Sequence, residues 1–537
     1  MRLTPFAKTL VVLLLSGVLL GVYVNRNQPA LRDLLAMIGL GPKSHEAATA
    51  PPAPDTPSEG AAPEPGTAPS PPALPPSTRG GRARIVVGVN DFGGAYPGLV
   101  ANDGTTAGPR SLFTKAGLDV EIKLVRGSKE RLEKFDNGEI DVMLLTLDYV
   151  ANLVADYKKT KNLELQSFLF VDWSRGNLGI VARPTFASIE SLKTARIATT
   201  RNTPTHYFTL TLLDRSNLNK NEIESIKSGF LFAKKTPDAG EMFQRGEVDA
   251  VAIWEPHLSK AIAEGKGRLL VSTTTATNLI ADVLFAKKSF LDEKAQVMPA
   301  FVRAWLAGVK QLSDETDSSV RVISQAFSQS PEETRAILSK IKPATFADNR
   351  AFFGLETEGS PFASLLAEAG EIWKREGVIE GLPAAKQVAR TSFLESLRDE
   401  HRNEKVVESF QFEKQKADAP ALLSKSVSIY FAPGSTDLDP TARKNIDRFA
   451  EQVASIFQNA YIRVEGNTDS TGDRKHNLVL STRRAEAVTS YLVARHRFDA
   501  NRFVAKGNGP DRPVGDNATE SGREYNRRTD FRVVPNY

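Results

Sequence analysis

The sequence predicts two folded blocks of different class. The first is an α/β block of two similar lobes, the second a smaller α+β domain, and one apolar helix precedes both. Three observations carry this expectation. The stretch Phe135–Val142 (FDNGEIDV) returns as Phe243–Ala250 (FQRGEVDA). Residues 426–534 read strand, helix, strand, helix, strand, loop, strand. Near the start, Thr9–Asn25 is an uncharged run rich in Leu and Val.

That run sets the order of the elements. Arg2 and Lys8 precede it, and it has no ionisable acid, Lys, Arg or His. Its length sits at the lower edge of a spanning helix, since a bilayer core of about 30 Å takes about 20 residues. The following Val22-Tyr23-Val24-Asn25-Arg26 lacks the small residues that signal cleavage needs. A single uncleaved transmembrane anchor is therefore expected over residues 1–26, with the basic end in the cytoplasm. Residues 27–82 form a linker. Within it, 51–76 hold 11 of the chain's 31 prolines and suit an extended spacer. Ala30–Leu40 is either a short amphipathic helix or part of a disordered stalk.

Composition narrows the function class. The 537 residues suit about three domains. Hydrophobic residues make up 41% and charged residues 25%, which excludes wholesale disorder and a polytopic membrane protein. A net charge of +5 spread along the chain does not point to nucleic acid. Cysteine is absent, which excludes disulfides, thiol catalysis and Cys-ligated metals. The six histidines form no HExxH pair, and neither a GxSxG elbow nor a P-loop occurs. No enzyme, no cofactor and no metal site is expected.

The α/β block spans 83–388. Arg84–Val89 reads as a buried strand opening into the Gly-rich turn Asn90–Ala95. Asp119–Val125 alternates as a half-buried strand. Each copy of the repeated motif reads as a helix stopped by glycine, then a strand entering a sheet. Strands alternating with helices imply parallel sheets. Two such lobes facing each other make a cleft that closes like a hinge.

The segments GVNDFGGAYPGL, FDNGEIDVMLLTLD, DWSRGNLGIVARP, SLKTARIATTRNTPTHYFTLTLL and RGEVDAVAIWEPHL, in that order, resemble periplasmic solute-binding proteins. The nearest branch is the nitrate, sulfonate and thiamine-precursor type that serves ABC transporters. The resemblance covers about 84–385 and implies a type II-like two-lobed fold with a small solute in the cleft. Candidate cleft residues lie at strand ends: Asn90, Phe92, Thr146, Asp148, Asp172, Ser174, Thr203, Thr205, His206, Trp254, Glu255 and Asp282. The helix start at Thr203-Pro204-Thr205 suits an anion. The acidic residues suit an ammonium or amidine. The two cues conflict, and several of these residues equally serve as turn formers or caps.

Residues 389–424 are strongly charged and read as an exposed helix and hinge. The last domain, 425–537, is expected to run through a strand Ser426–Phe431, a helix Thr441–Phe457, a strand Tyr461–Gly466, a helix Asn477–Ala494 and two further strands. Asn477, Leu480, Ser481, Arg484, Ala485, Val488 and Leu492 have the spacing of the peptidoglycan-associating motif of OmpA-like domains. Gly466-Asn467-Thr468-Asp469 resembles that family's Gly-His-Thr-Asp, with Asn in place of His. Gly522-Arg523 and Asn526-Arg527-Arg528 resemble its closing signature. The resemblance implies a site for the diaminopimelate of peptidoglycan stem peptides. It assigns Asp469 to the ammonium and Arg484 to the carboxylate. Asn477 and Asn526 are expected to orient the loop, and Arg528 to contact ligand or brace Asp469.

Together the parts describe a single-pass inner-membrane protein with periplasmic domains, binding a small solute and held non-covalently on peptidoglycan. The alternatives are a scaffold whose lobes mediate protein interaction with a membrane complex, and a stator-like wall anchor. The uncharged anchor weakens the last.

Overall fold

The computed structural model describes residues 78–79, 81–264, 267–356, 359–408, 410–412, 418–429, 431 and 435–536. The expected anchor Thr9–Asn25, the segment Ala30–Leu40 and the proline-rich stretch lie outside them. Among the described residues no helix is long and apolar enough to cross a membrane.

Strands are numbered along the chain. The first lobe is built on β1 (Thr78–Arg79), β2 (Arg82–Val89), β3 (Leu118–Leu124), β4 (Val142–Thr146), β5 (Leu165–Ser174), β11 (Ala281–Lys287) and β12 (Ile341–Pro343). Their order is β1-β2-β4-β11-β5-β12, with β3 also paired to β2. The second lobe holds β6 (Leu178–Ala182), β7 (Ile197–Thr200), β8 (Phe230–Ala233), β9 (Ala250–Trp254) and β10 (Arg268–Ser272), in the order β10-β6-β9-β7-β8. The chain passes between lobes twice, at 175–177 and 273–280.

Neither sheet is fully parallel, contrary to expectation. Parallel pairing is confined to β3-β2-β4 and to β8-β7-β9. Strands next to the crossings enter in the opposite sense: β11 is antiparallel to β4 and β5, and β6 to β9 and β10. A strand that arrives from the other lobe starts at the end where the βα units finish, so its direction is reversed.

The repeated motif has one structural meaning in both lobes. Gly138 and Gly246 take φ of 81° and 78°, the left-handed conformation that ends each preceding helix. Three residues past each glycine, an aspartate ties the incoming strand to its parallel neighbour. Asp141 Oδ2 accepts from Val86 N at 2.8 Å, and Asp249 Oδ2 from Arg196 N at 2.8 Å. Each aspartate N–H returns a bond to the same residue's carbonyl.

Three helices matter for the cleft: α1 (Leu147–Thr160) on the first lobe, α2 (Pro204–Arg215) on the second, and α3 (Pro361–Arg375), which packs on both. Trp373 of α3 is fully buried and donates to Asp148 O at 2.9 Å.

The charged segment after 388 is not a free hinge. Phe393, Leu394 and Leu397 are buried, and Phe393 packs edge-on to Phe168. Arg303 pairs with Glu400, His401 stacks on Phe346, and Arg175 pairs with Glu408 at 2.5 Å. Three apolar residues among the charges anchor this strap to the first lobe, a pattern too sparse to read as a helix face.

The last domain carries the sheet β13 (Leu423–Val427)-β16 (Thr529–Pro535)-β14 (Ala460–Asn467)-β15 (Phe503–Gly509). Helices α4 (Pro440–Phe449) and α5 (Arg474–His496) belong to it. The first strand begins three residues before the expected Ser426, because Leu423 is buried opposite Val533. Ile429, buried, and Phe431 instead lie past the strand's end, toward the pocket described below. Tyr430, Pro433 and Gly434 lie outside the described residues. The domain docks on the second lobe. Ile189 N donates to Leu422 O at 2.9 Å, Ser424 N to Glu190 Oε1 at 2.6 Å, and Lys425 Nζ to Ser216 O at 2.9 Å.

Candidate functional sites

The C-terminal pocket grows from the packing of α5 on the sheet. Asn477, Ser481, Ala485, Val488 and Leu492 are its buried face, spaced at three or four residues as a helix requires. Strand glycines let the helix lie close: a Cβ at Gly466 would run into the Ser481 carbonyl. Most of the motif is therefore packing. Arg484, one turn on, is the member that reaches the pocket, which is lined by Ile429, Phe431, Gly466, Asn467, Arg484, Arg527, Arg528 and Thr529. Its guanidinium lies over the Phe431 ring at 4.8 Å, and its Nε donates to Ser435 O at 3.2 Å. Half-burial lowers its pKa, opposed by the charge of Asp469.

Asp469 is held by Arg527 at 2.7 Å and accepts from Thr471 N at 2.9 Å. Burial alone would raise its pKa; these partners outweigh it and keep the carboxylate charged. The brace is thus Arg527, one residue before the expected Arg528. Arg528 pairs instead with Asp530 at 2.9 Å, both largely buried. Asn467, standing where the resembling family has His, donates to that same Asp530 at 3.1 Å and accepts from Asn508 at 3.0 Å. Asn477 donates to Thr471 O at 2.8 Å, fixing the Asp469 loop. Asn526 accepts from Val514 N and Gly515 N, fixing the facing loop.

Sequence reading missed Glu465. It is fully buried beneath the pocket and takes Arg463 at 2.8 Å, Arg512 at 2.9 Å and Arg532 at 3.1 Å. Burial opposes its charge, and Arg532 with the other partners overcomes that. An alternating strand carrying one acid gives no sign that two arginines from other segments join Arg463 of the same strand around it.

In the two-lobed block, strand register brings part of the expected set together. Asp282 is opposite Thr146 on one side and Asp172 on the other. Asp148 lies in the first turn of α1, two residues after Thr146, and Asn90 directly follows the neighbouring β2. This end of the sheet is where both crossings leave, so it faces the second lobe. Asp148, Asp172 and Asp282 are all buried. Burial pushes Asp148 up to about 7 and raises both members of the Asp172–Asp282 pair, Asp172 also through the charge of Asp282. Asn90 Oδ1, Thr146 Oγ1, Asp148 Oδ2 and both Asp172 oxygens are buried without a hydrogen-bond partner. Phe92, two residues after Asn90, is half-buried.

Most of the other expected cleft residues are already engaged. Ser174 shares a hydrogen bond with Thr273 at 2.9 Å. Thr203 donates to Thr200 O at 2.6 Å, and Thr205 bonds Thr199 and Thr203. His206 is buried among Phe230, Phe232 and Trp373; burial, with Arg201 and Lys227 adding, depresses it to about 4, so it is neutral. Trp254 is half-buried at the end of β9. Glu255 pairs with Lys340 of the first lobe and accepts from Ser259 N at 3.0 Å. Further ion pairs clasp α3 to the second lobe: Arg215–Glu368, Arg375–Asp214 and Lys227–Glu376.

Residues 81–326 match the NMT1-like family and residues 430–527 the OmpA family. The chain fuses an NMT1-like region to an OmpA-family domain. The OmpA-family domain is 35% identical over 125 residues to outer membrane protein A of Bordetella avium, 22% of this chain and 63% of that protein. It is 38% identical over 106 residues to outer membrane protein Omp38 of Acinetobacter baumannii, 20% of this chain and 30% of that protein. It is 34% identical over 112 residues to the peptidoglycan-associated lipoprotein of Pseudomonas putida, 21% of this chain and 66% of that protein. The chain thus spans less than two thirds of the length of these curated relatives. In structure the chain is similar to the periplasmic sulfonate-binding protein of a putative sulfonate ABC transporter of Methylobacillus flagellatus, at 18% identity and TM-score 0.47, covering 62% of this chain and 99% of that one. For the aliphatic sulphonate binding protein of Escherichia coli the values are 15% and 0.45, with 57% and 96% covered.

Proposed function

We propose that the chain is a periplasmic receptor for a small solute, tethered to the inner membrane through Thr9–Asn25 and held non-covalently on peptidoglycan by its OmpA-family domain. The observation that carries the wall-binding part is the pairing of opposite charges at one pocket: Asp469 lies within the field of both Arg484 and Arg527. Diaminopimelate presents an ammonium and a carboxylate on one carbon. Asp469 accepts from the ammonium, and Arg484 clamps the carboxylate through two parallel charge-assisted bonds. Arg527 keeps Asp469 charged and oriented. The name of the Pseudomonas relative, a peptidoglycan-associated lipoprotein, supports the same ligand.

Two attachment points on one chain raise the effective concentration of each for its target. The two-lobed NMT1-like region then sits at a fixed depth between membrane and wall and binds its solute by closure rather than transforming it. The test is co-sedimentation of the full chain with purified sacculi. Wild type pellets; Asp469→Ala and Arg484→Ala remain in the supernatant while folded. Normal pelleting of both variants sinks the wall assignment. The solute reading is tested by the unfolding midpoint against nitrate, phosphate, sulfonates, pyrimidines, polyamines and amino acids. A response to none favours the scaffold reading, which the ion-paired state of Glu255 also suits.

A further inference from the structure

We propose that the interlobe end of the first lobe's sheet binds a small organic cation, a primary ammonium or an amidinium, through Asp148, Asp172 and Asp282. This rests on the receptor reading of the two lobes and names its ligand class.

The argument begins with a missing countercharge. Three carboxyl groups are buried side by side on β5, β11 and the start of α1. Among the described residues no Lys, Arg or His forms an ion pair or hydrogen bond with any of them. The nearest cation in register, Lys342, is opposite Trp173 and therefore on the other face of the sheet, where it pairs with Asp348 at 2.8 Å. Buried carboxylates are ordinarily paired, because an unpaired one is expensive to desolvate.

The second observation is the state of Asp172. It is fully inaccessible, and no N–H or hydroxyl donor reaches either oxygen; only the neighbouring Asp282 carboxyl does. Its Oδ2 points to the Gly-rich turn at the cleft: a Cβ on Gly94 would lie 2.8 Å from it. Around it the buried Oδ1 of Asn90 and Oγ1 of Thr146 also lack partners. Apart from the Thr146 hydroxyl and the proton that the acid pair carries without a bound cation, these atoms are all acceptors. A group rich in N–H donors and bearing positive charge satisfies them together. A metal ion does not suit the set, for among the described residues no three such side chains are placed to hold one.

The same geometry argues against an anion. At the start of α2, Thr203 and Thr205 spend their hydroxyls on each other and on Thr200 O. His206 is neutral, Arg201 lies over Phe232 at 3.8 Å, and Lys227 is bound to Glu224 and Glu376. An anion would also stand against three acids.

The experiment follows the unfolding midpoint of the full chain at matched ionic strength. The probes are agmatine, which has a guanidinium and an ammonium, benzamidine, and ethanesulfonate. At saturating probe we expect agmatine or benzamidine to raise the midpoint by at least about 2 °C. Ethanesulfonate leaves it unchanged. Asp172→Asn and Asp282→Asn abolish the rise, whereas exposed Asp156→Asn keeps it. A rise with ethanesulfonate instead, or an undiminished cation response in Asp172→Asn, overturns the cation proposal and leaves the receptor reading standing. Silence with all three probes also overturns it; the receptor reading is judged separately by the wider panel above. Comparing probes on the wild-type chain keeps the test decisive if a variant folds poorly.

Discussion

Asp172 and Asp282 stand directly opposite each other on adjacent antiparallel strands, both buried and neither facing a cation. Two such groups do not both ionise, so the pair holds a proton that an unfolded chain would release near pH 4.

This gives a stability prediction with a definite sign. A carboxyl whose folded pKa is raised stabilises the fold below its unfolded pKa, and that stability is lost as pH rises through the folded value. For Asp148 the window runs from about 4, the ordinary range, to about 7. The unliganded chain should melt at a lower temperature at pH 8 than at pH 5. Asp172→Asn and Asp148→Asn should flatten that slope, converging on wild type near pH 4. Parallel profiles for variant and wild type would show that these acids titrate normally.

At the wall pocket, two adjacent arginines separate binding from stability. Arg527 acts on the exposed side through Asp469, so Arg527→Ala should weaken sacculus binding with little change in unfolding midpoint. Arg528 and Asp530 form a buried pair that also anchors Asn467. Removing one partner of such a pair costs about 3–5 kcal/mol. Arg528→Ala should therefore lower the midpoint clearly, as thermal unfolding would show. A stable Arg528→Ala that simply fails to pellet would reverse the two roles.

How much of this was legible follows from what kind of contact each residue makes. The repeated FDNGEIDV and FQRGEVDA segments report local geometry, a glycine-ended helix and a strand-capping Asp, and so the two lobes were readable. Asp172 and Asp282 were readable as strand-end residues. Their union was not, because it depends on β11 returning from the second lobe and pairing antiparallel between β4 and β5. The ion pair of Glu255 was illegible for a similar reason: Lys340, distant in sequence, claims it. The strap was hidden because Phe393, Leu394 and Leu397 are outnumbered by charges, and packing against Phe168 is a tertiary fact.

The lobes are clasped by ion pairs, which makes their closure sensitive to salt. Lys340–Glu255 and Arg215–Glu368 each join one lobe to elements of the other. Both are more than half shielded, yet screening still weakens them when the cleft opens to water. Double substitution Lys340→Ala and Arg215→Ala should enlarge the radius of gyration in small-angle scattering. Wild type should show a smaller expansion between low and high salt. An unchanged radius in the double variant would mean that apolar packing of α3 alone holds the lobes together.

The OmpA-family domain touches the second lobe while the strap grips the first, so lobe motion and domain position are joined. Lys425 illustrates how. Its side chain is half-buried at the junction, where burial, aided by Arg215, lowers its pKa, and it donates to Ser216 O at 2.9 Å. Glu190 completes the contact by accepting from Ser424 N at 2.6 Å. Hydrogen bonds to charged groups contribute about 1.5–3 kcal/mol each. Lys425→Ala with Glu190→Ala should free the domain from the lobe without unfolding either. Hydrogen exchange would then rise at β13 and at 214–217, while the β14–β16 core stays protected and sacculus binding persists. Exchange that rises through β14 and β16 as well would show instead that the junction is part of the domain's own folding unit.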